Sequence, residues 1–450
     1  MSKFLSYSLL ILLFLIVIGG FSFYWRVTPK SLVENRSSQL AQVGSGVNTV
    51  YVDGQLSTDC LAGNYSIQQR DCSGSDGTAY AHPQLAALAV SAGQTVLIRG
   101  GTYLTHPRSS NGGKNVLWVT TTGLPGLPIR FENYNGERVV FDNQRTEGSV
   151  IYIDGRNRGD GTNYIEIVGL IITGGAARGD TLPHGIHVRQ SRYDLVERNE
   201  IYGVEGVGVL FDEQGGIYPE YGHNTIRRNN IHDNYSGVIA RGDYTLIEKN
   251  HIHHNIRATK PGDSDGIGSV GDFSIIRGNV VHNNSDDNID APGLGSKPPW
   301  YTKGREPENI IIENNVLFQA GHAYDGGPEG DGSGLKSGTH EGGILPSGAN
   351  IIRYNISFQN DLRGIEVAGN YRDIERDQLP PPNLYYGNTI FDNGDLDEGG
   401  AIDGFYSEDA DLILFNNISR NPNNQIFRDV RTTMVGSKFS KSRPVVCQCR

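Results

Sequence analysis

A short phrase of sequence recurs along most of this chain. Each copy holds two or three residues that favour β-strands, a polar turn that usually contains Asn, and a second short apolar run. One copy is too small to bury its apolar side chains alone, whereas stacked copies share one continuous interior. The repeat therefore predicts an all-β solenoid, a parallel β-helix, rather than a sandwich. The nine copies, which begin about 21 to 40 residues apart, are YIEIVGLIITG, YDLVERNEIYG, NTIRRNNIHDN, YTLIEKNHIHHN, FSIIRGNVVHNN, NIIIENNVLFQAG, NIIRYNISFQN, NLYYGNTIFDN and DLILFNNISRN.

Asn occupies the turn in most copies of the repeat. Its backbone tolerates the left-handed conformation, and its side-chain amide can hydrogen-bond to an equivalent Asn one rung away. In the seventh copy Tyr354 takes this place and Asn355 follows it, which predicts a break in the ladder. Ordinary polar turn residues are the alternative, and they fit the same fold. The predicted ladder consists of Asn199, Asn229, Asn250, Asn279, Asn314, Asn388 and Asn416.

The chain divides into four predicted regions. Residues 1–27 are expected to form a membrane anchor or signal segment, because Phe4–Trp25 carries no charge, is rich in Leu, Ile, Val and Phe, and ends on an aromatic rim. Residues 28–47 are typical of a linker, 48–420 of the β-helix, and 421–450 of a C-terminal tail without the repeat. We expect an exported, monomeric body that meets a membrane only through its N-terminal segment.

The first part of the predicted β-helix contains a cap and a crosslink. Pro83–Val90 favours a short helix, and the strand TVLIRG follows it, so this helix is expected to cover the open end of the solenoid. Cys60 and Cys72 lie in one polar, turn-rich segment, where a disulfide would close a short loop in an oxidising compartment. Two free thiols are the alternative. We assign no role to the cysteines near the C-terminus.

The formal net charge of -11 excludes some classes of partner. Nucleic-acid binding needs clustered Lys and Arg to neutralise phosphates, so this composition argues against it. An acidic protein can still hold an acidic polymer if bound divalent cations bridge carboxylates from both sides. An acidic polysaccharide therefore remains possible as a partner only if the chain carries a cation site.

Two acidic segments one rung apart supply candidate cation ligands. Asp265 lies in GDSDGIG, and Asp286, Asp287 and Asp290 lie in NNSDDNID. Adjacent rungs are roughly 5 Å apart, which places these carboxylates within reach of one hard cation. Calcium prefers six to eight oxygen ligands, and the carboxylates with waters and a substrate carboxylate would supply them. A solvated acidic turn without a metal is the alternative.

A third segment, GSGLKSG, places Lys336 among small residues just after the acidic rungs. Small neighbours leave its ammonium group accessible. A base that removes the proton next to a uronate carboxylate must be neutral when it acts, and a nearby metal cation favours that state of a Lys. A solvated turn lysine is the alternative.

Taken together, the segments SDGIG, NNSDDNID, GSGLKSG and NIIRYNISFQNDLRGIEV resemble the polysaccharide lyase family 9 pectate lyases over about residues 225–420. The resemblance implies a right-handed parallel β-helix and calcium-dependent β-elimination on an acidic, uronate-containing polysaccharide. It assigns Ca²⁺ binding to Asp265, Asp286, Asp287 and Asp290, and it assigns removal of the C5 proton to Lys336.

Three further residues are candidates for contact with the polymer. Arg363 can pair with a uronate carboxylate through two hydrogen bonds, although a surface ion pair is an equal alternative. Trp300 and Tyr301, in the long insert SKPPWYTKGREPEN, are placed to stack on a sugar ring or to pack the loop. The chain has RGIEV where such lyases often continue with an Asp-Gln-Asn-like sequence, so the uronate and its linkage stay open.

Three other functions are compatible with the same fold. A glycoside hydrolase would need two carboxylates across the scissile bond, for which Asp286 and Asp287 are available, but its Gly-His-Gly and Arg-Ile-Lys signatures are missing. A C5-epimerase would need an Asp-Pro-His-Glu signature, which is also missing. A non-catalytic surface scaffold that binds polysaccharide is the third alternative. The trio His251, His253 and His254 is a minor candidate for a metal site.

Overall fold

The computed structural model describes most of the chain between Thr49 and Ser440. Residues 1–48 lie outside it, and with them the predicted anchor or signal segment and the linker. The described residues are 49–109, 114–155, 162–175, 182–212, 222–256, 264–291, 307–321, 330, 332–338, 348–368, 381–393 and, for the backbone alone, six strands between 403 and 440. They belong to one compact unit. No helix in these ranges is long and apolar enough to cross a membrane.

Within the described ranges, almost every strand belongs to one of three parallel sheets, numbered here in the order in which each rung visits them. The 14 strands of sheet 1 are, in sheet order, Ala79–Tyr80, Thr49–Val52, Thr95–Ile98, Ile129–Asn133, Ile165–Val168, Leu195–Glu197, Thr225–Arg227, Leu246–Glu248, Ile275–Arg277, Ile311–Glu313, Ile351–Arg353, Asn383–Tyr386, Asp411–Phe415 and Arg431–Val435. The 12 strands of sheet 2 are Gly101–Tyr103, Val139–Asp142, Ile171–Thr173, Glu200–Tyr202, Asn230–His232, His251–His253, Val280–His282, Val316–Phe318, Ile356–Phe358, Thr389–Phe391, Ile418–Arg420 and Lys438–Ser440. The 11 strands of sheet 3 are Leu117–Val119, Ile151–Asp154, Ile186–Arg189, Val207–Phe211, Ser236–Ala240, Ile267–Val270, Ile289–Asp290, Leu335–Gly338, Arg363–Ala368, Asp403–Glu408 and Ile426–Arg428.

The core is a stack of aliphatic side chains at the centre of each strand. Ile226, Ile247 and Ile276 pair in register on successive strands of sheet 1, and all are fully buried. The residues that flank Ile226 and Ile276 are half-exposed, because successive side chains of a strand point to opposite faces. Apolar surface shared between rungs therefore stabilises the parallel β-helix, and the all-β fold predicted from the repeat is confirmed.

An Asn ladder runs between sheets 1 and 2, but two details differ from the prediction. Each Asn receives hydrogen bonds from the backbone N–H and the side-chain amide of the Asn one rung before it, as at 2.9 and 3.1 Å between Asn199 and Asn229. The fifth member is Asn315 rather than Asn314, and Asn355 keeps the ladder unbroken. The full ladder is Asn199, Asn229, Asn250, Asn279, Asn315, Asn355 and Asn388.

The left-handed conformation belongs to the residue before each ladder Asn, not to the Asn itself. Arg198, Lys249, Asn314 and Tyr354 have φ values of 58°, 56°, 57° and 56°. The prediction placed the left-handed turn and the amide ladder on one residue, whereas the structure divides them between two neighbours. Asn416 lies outside the described residues.

The N-terminal end is capped by the helix Pro83–Ala87. The Gln84 side chain donates to the Trp118 carbonyl oxygen at 3.1 Å and accepts from the Trp118 N–H at 2.7 Å. It therefore satisfies the edge strand Leu117–Val119 as a further strand would. A disulfide joins Cys60 and Cys72, whose Cα atoms are 5.3 Å apart.

Two smaller features complete the described secondary structure. The strands Thr162–Asn163 and Ser191–Arg192 form a separate two-stranded parallel sheet, and Tyr134–Gly136 is a 3-10 turn. At the other end, the three sheets continue past Arg420 into the region for which the sequence predicts a tail without the repeat. Each sheet gains one further strand there: Arg431–Val435 in sheet 1, Lys438–Ser440 in sheet 2 and Ile426–Arg428 in sheet 3.

Candidate functional site

The outer face of sheet 3 places the candidate residues in one column. Gly268, Asp290, Lys336 and Glu366 are register partners on four successive strands. Their neighbours Ile267, Ile289, Leu335 and Ile365 form a parallel column in the core. Alternation along each strand therefore turns the charged side chains outward from a rigid aliphatic stack. The three sequence segments that supply Asp265, the other acids and Lys336 meet in adjacent rungs.

Three carboxylates converge just before these strands. Asp265, Asp286 and Asp287 each offer an oxygen, and these oxygens all lie within 4.8 Å of one another. Gly268 leaves room for the cluster, since a Cβ at that position would lie 2.9 Å from Asp265 Oδ2. A Cβ at Gly330 would overlap Asp286 Oδ1. The glycines are therefore required by the close approach of the carboxylates.

The electrostatics of the cluster disfavour its fully ionised form. Burial, followed by the charges of Asp290, Asp286 and Asp287, raises the pKa of Asp265 well above its usual value. Burial also raises the pKa of Asp287, and the charge of Lys336 only partly opposes it. Asp265 Oδ1 is buried and has no hydrogen-bond partner. A cation placed among these oxygens would remove the repulsion and satisfy the orphaned oxygen.

The donor set fits a hard divalent cation. The converging ligands are carboxylate oxygens, which Ca²⁺ prefers, and among the described residues no nitrogen or sulfur ligand joins them. Asp290 stands on the adjacent strand and acts electrostatically on Asp265. Three of the four acids predicted to bind calcium therefore converge, and Asp290 adds its charge from the neighbouring strand.

Lys336 is held beside the acids. Its Nζ lies 3.5 Å from Asp287 Oδ2, and the two side chains are only 7 % and 1 % exposed. The next residue, Ser337, faces the core, where its hydroxyl and the hydroxyl of the fully buried Tyr385 are hydrogen-bonded at 2.8 Å. This internal anchor fixes the strand that carries Lys336. The sequence placed Lys336 in an accessible turn, whereas the structure places it in a strand and nearly buries it.

Glu366 and Ser333 form a bridge around Lys336. Ser333 donates its backbone N–H to Asp287 Oδ1 at 2.7 Å and its hydroxyl to Glu366 Oε2 at 2.8 Å. Arg363 Nη1 lies 2.5 Å from Glu366 Oε1. The predicted polymer contact Arg363 is thus an ion-pair partner in this structure, at the edge of the same cluster.

Asn288 repairs a gap in a second Asn ladder beneath the acids. This ladder runs through Asn255 and Asn284, but the next rung has Ala320 in the equivalent place. The Asn288 side chain accepts from Asn284 at 2.9 Å and donates to Asn360 at 3.1 Å, so it bridges the missing member. These two hydrogen bonds fix Asn288, and through the backbone they help to orient the carboxylate of its neighbour Asp287.

Sequence reasoning located the segments but missed part of their support. The sequence analysis assigns no role to Glu366, Ser333 and Asn288. One signal for Glu366 was available, because it directly follows a core residue of its strand, as Asp290 and Lys336 do. Trp300 and Tyr301 lie outside the described residues. His251 and His253 lie on sheet 2, His254 follows their strand, and none of the three belongs to the group of converging carboxylates.

Comparisons with known proteins agree with this description. A family model described as "Pel9A-like, right handed beta helix region" matches residues 66–377. Pectate lyase PEL9 of Emericella nidulans is 26% identical over 304 residues, which cover 62% of this chain and 63% of that protein. The chain thus spans less than two thirds of the length of that relative.

Two solved structures are also similar to this chain. The crystal structure of pectate lyase Pel9A has a TM-score of 0.49 and 18% identity, with 88% of this chain and 79% of that chain covered. A rhamnogalacturonan lyase has a TM-score of 0.47 and 16% identity, with 88% and 86% covered. The family model spans more than half of the sequence and includes every residue of the acidic cluster together with Lys336. The chain belongs to the Pel9A-like family of right-handed parallel β-helix proteins.

Proposed function

We propose that this chain is a polysaccharide lyase that cleaves an acidic, uronate-containing polysaccharide by calcium-dependent β-elimination. One observation carries the proposal: the oxygens of Asp265, Asp286 and Asp287 lie within 4.8 Å of one another, and Lys336 stands 3.5 Å from the last of them. A cation site and a candidate base are thus adjacent. The names of the related pectate and rhamnogalacturonan lyases support the same class of reaction.

The acidic cluster would hold the metal through Asp265, Asp286, Asp287 and Asp290. Bound there, Ca²⁺ supplies a Lewis acid that binds the uronate carboxylate and makes the neighbouring C5–H more acidic. The carboxylates of the chain are fixed for this purpose by the Ser333 N–H and by the Asn288 bridge. The acidic protein can in this way hold an acidic polymer.

Lys336 acts in the proposal as the general base. Its Nζ takes the C5 proton, the electrons of the C5–H bond form the C4=C5 double bond, and the bond from C4 to the glycosidic oxygen breaks. The electron pair of that bond stays on the glycosidic oxygen, which takes up a proton to become a hydroxyl. A base for this step has to be neutral. A cation held by Asp287 would disfavour the ammonium form of the neighbouring Lys336. No nucleophile is required, which agrees with a site made of carboxylates, one lysine and one arginine.

The polymer would extend beyond the cluster. We propose that the Arg363 guanidinium, which lies against Glu366 at the edge of the cluster, pairs through two hydrogen bonds with a carboxylate on a neighbouring sugar. Trp300 and Tyr301 are proposed as residues that stack on sugar rings.

We further propose that the body acts outside the cytoplasm as a monomer and is tied to a membrane by residues 1–27. The Cys60–Cys72 disulfide supports an oxidising compartment.

Glycoside hydrolysis fits the cluster less well. Hydrolases of this kind separate their two carboxylates by about 5 to 9.5 Å, so that a sugar or a water fits between them. The three carboxylates described here converge more closely than that, and a buried lysine lies beside them. Convergence is expected of metal ligands.

The test is an assay of the full chain on a panel of polyuronates and acidic bacterial polysaccharides, with calcium and with chelator. Formation of the 4,5-unsaturated uronate is followed by its ultraviolet absorbance. We expect a calcium-dependent rise that Lys336→Ala reduces by a factor of about 10² to 10⁴. Lys249→Ala, which changes an exposed turn lysine two rungs earlier, is the matched control and keeps the activity.

Three other outcomes would reject parts of the proposal. New reducing ends without the unsaturated product would indicate a hydrolase. Binding of a polymer without any product would indicate the scaffold. A rise that is unchanged in chelator, or that survives in Lys336→Ala, would remove calcium or the base from the mechanism.

A further inference from the structure

The outer face of sheet 2 carries a run of stacked rings. Neighbouring ring centroids are 4.4 to 5.3 Å apart, and their planes lie within 12° of parallel. Each ring belongs to the last residue of its strand, so the run follows the register of the sheet. The members are Tyr202, His232, His253, His282, Phe318, Phe358 and Phe391.

His282 is held firmly in this run. Its ring lies between His253, at 5.2 Å, and Phe318, at 4.4 Å, so both faces are covered and only the edge is open. That edge faces His251, an exposed residue on the neighbouring strand. The two Nε2 atoms are 2.8 Å apart. Two imidazole nitrogens from adjacent rungs thus meet at one point.

The surroundings fix the proton on His282. Its Nδ1 lies 2.6 Å from Asn283 Oδ1, which can only accept, so Nδ1 carries the proton. A neutral imidazole has one N–H, and therefore Nε2 presents its lone pair to His251. Metal-binding histidines characteristically donate their other ring N–H to a protein oxygen, and Asn283 supplies such an oxygen here. His251, when its own proton is on Nδ1, brings a second lone pair to the same point.

We propose that His251 and His282 form a two-histidine chelate for a divalent transition metal of the Zn²⁺ class, with waters completing the coordination shell. Imidazole nitrogen suits zinc, nickel and copper, whereas the carboxylates on sheet 3 suit calcium. The two sites therefore select different metals. Tetrahedral zinc with bonds of about 2.0 to 2.1 Å needs its ligand nitrogens about 3.3 Å apart, so the pair opens by about half an ångström, and the exposed His251 can make that movement.

The chelate would crosslink the rungs that lead into the acidic cluster. His251–His253 precedes the segment with Asp265, and Val280–His282 precedes Asp286 and Asp287. A bond across these two strands resists their separation, so metal binding stabilises this part of the solenoid. The inference does not depend on the proposed lyase activity.

The test is calorimetric titration of the full chain with ZnCl₂ after removal of metals, in buffer with enough CaCl₂ to occupy the acidic cluster. We expect a zinc-binding event in wild type that is lost in both His251→Ala and His282→Ala. Asn283→Ala weakens it about 10- to 100-fold because the tautomer is no longer fixed. Zinc held by Cys447 and Cys449 would be common to all proteins and cancels in the difference.

The matched control is His223→Ala, which removes a ring stacked between Tyr193 and Tyr244 on another part of the surface and leaves zinc binding unchanged. Since His251 is exposed, His251→Ala is expected to fold normally, and its thermal unfolding in chelator checks this. Zinc should raise the unfolding temperature of wild type and of His223→Ala only. Equal zinc binding in wild type and His251→Ala, or none in wild type, would overturn the proposal.

Discussion

Two stretches of the outer face of sheet 3, separated by a register shift at Ile239 and Ala240, surround their acids with different charges. In the N-terminal stretch, Asp212 lies between two guanidinium groups, 3.4 Å from Arg189 Nε and 3.2 Å from Arg241 Nη1. In the C-terminal stretch, the acidic cluster has Lys336 as its near cation. Sheet 3 thus carries a neutralised acid beside its earlier strands and a surplus of acids beside its later ones.

The pKa values follow this difference. Burial raises the pKa of Asp212, but the interactions with His187, Arg241 and Arg189 outweigh it and lower the pKa to about 2. Burial raises the pKa of Asp265, and its neighbouring acids raise it further. Burial is common to both carboxyls, so the sign of the shift depends on the charge of the neighbours. A surplus of carboxylates is costly unless a cation is added, which is the arrangement expected of a metal site.

Asp194 shows the effect of burial on a carboxyl pKa without that of neighbouring charges. It gives the largest predicted effect on the free energy of unfolding. It is 2 % exposed, its Oδ2 has no hydrogen-bond partner, and burial raises its pKa to about 7 despite a hydrogen bond from the Ile165 N–H. The folded protein keeps this proton up to about pH 7, whereas the unfolded chain loses it near pH 4. Its contribution therefore favours the unfolded state increasingly as pH rises from about 4 to 7, by about 4 kcal/mol in all.

The measurement is the free energy of unfolding of wild type and of Asp194→Asn at a series of pH values. The amide keeps an acceptor for Ile165 and carries no charge, so the variant gains stability over wild type progressively above pH 4. Using the difference between the two proteins removes the opposite slope expected from His82, whose pKa burial lowers to about 4. A difference that is flat from pH 4 to 8 would show that burial alone does not raise the pKa of a carboxyl in this fold.

The fold could be predicted because its cause is local and repeated. The β-prone run, the turn and the apolar run occur in every copy, and stacking is the only way for them to share a core. The exact turn position could not be read in the same way. In the copy with Asn314 and Asn315, both residues suit a turn, and only the register of the neighbouring strands decides that Asn315 joins the ladder while Asn314 turns left-handed.

The candidate site could be predicted where ligands follow one another along the chain. Asp265, Asp286 and Asp287 lie one rung apart, so a short repeat is enough to bring them together. Ser333 and Glu366 could not be connected to them, because a long insertion separates these strands and hides the register from the sequence. Resemblance to a family supplied the role of Lys336, and physical reasoning alone did not predict that it would be nearly buried.

The effect of calcium on the free energy of unfolding also distinguishes the two stretches, and its expected size is intermediate. If the surplus of acids is a cation site, Ca²⁺ stabilises the folded chain, by about 2.7 kcal/mol at a concentration 100 times the dissociation constant. Asp287→Asn removes a ligand and should lose this gain, while Asp212→Asn, on the neutralised stretch, should keep it. Thermal unfolding with calcium and with chelator gives both values. A gain that survives in Asp287→Asn would place the bound calcium elsewhere.

The smallest effect is a difference of sign between two equivalent substitutions in chelator. Asp212→Asn removes a carboxylate that its neighbours stabilise, so the free energy of unfolding at pH 7 should fall, by about 2 kcal/mol from the shift of its pKa. Asp265→Asn removes a carboxylate that its neighbours repel, so the same quantity should rise. Denaturant unfolding of the two variants and wild type measures both changes.

Added calcium is the control. It should turn the gain in Asp265→Asn into a loss relative to wild type, because the wild-type acids then share a cation. It should leave the difference between Asp212→Asn and wild type unchanged. Equal signs in chelator would mean that the neighbouring charges do not distinguish the two stretches.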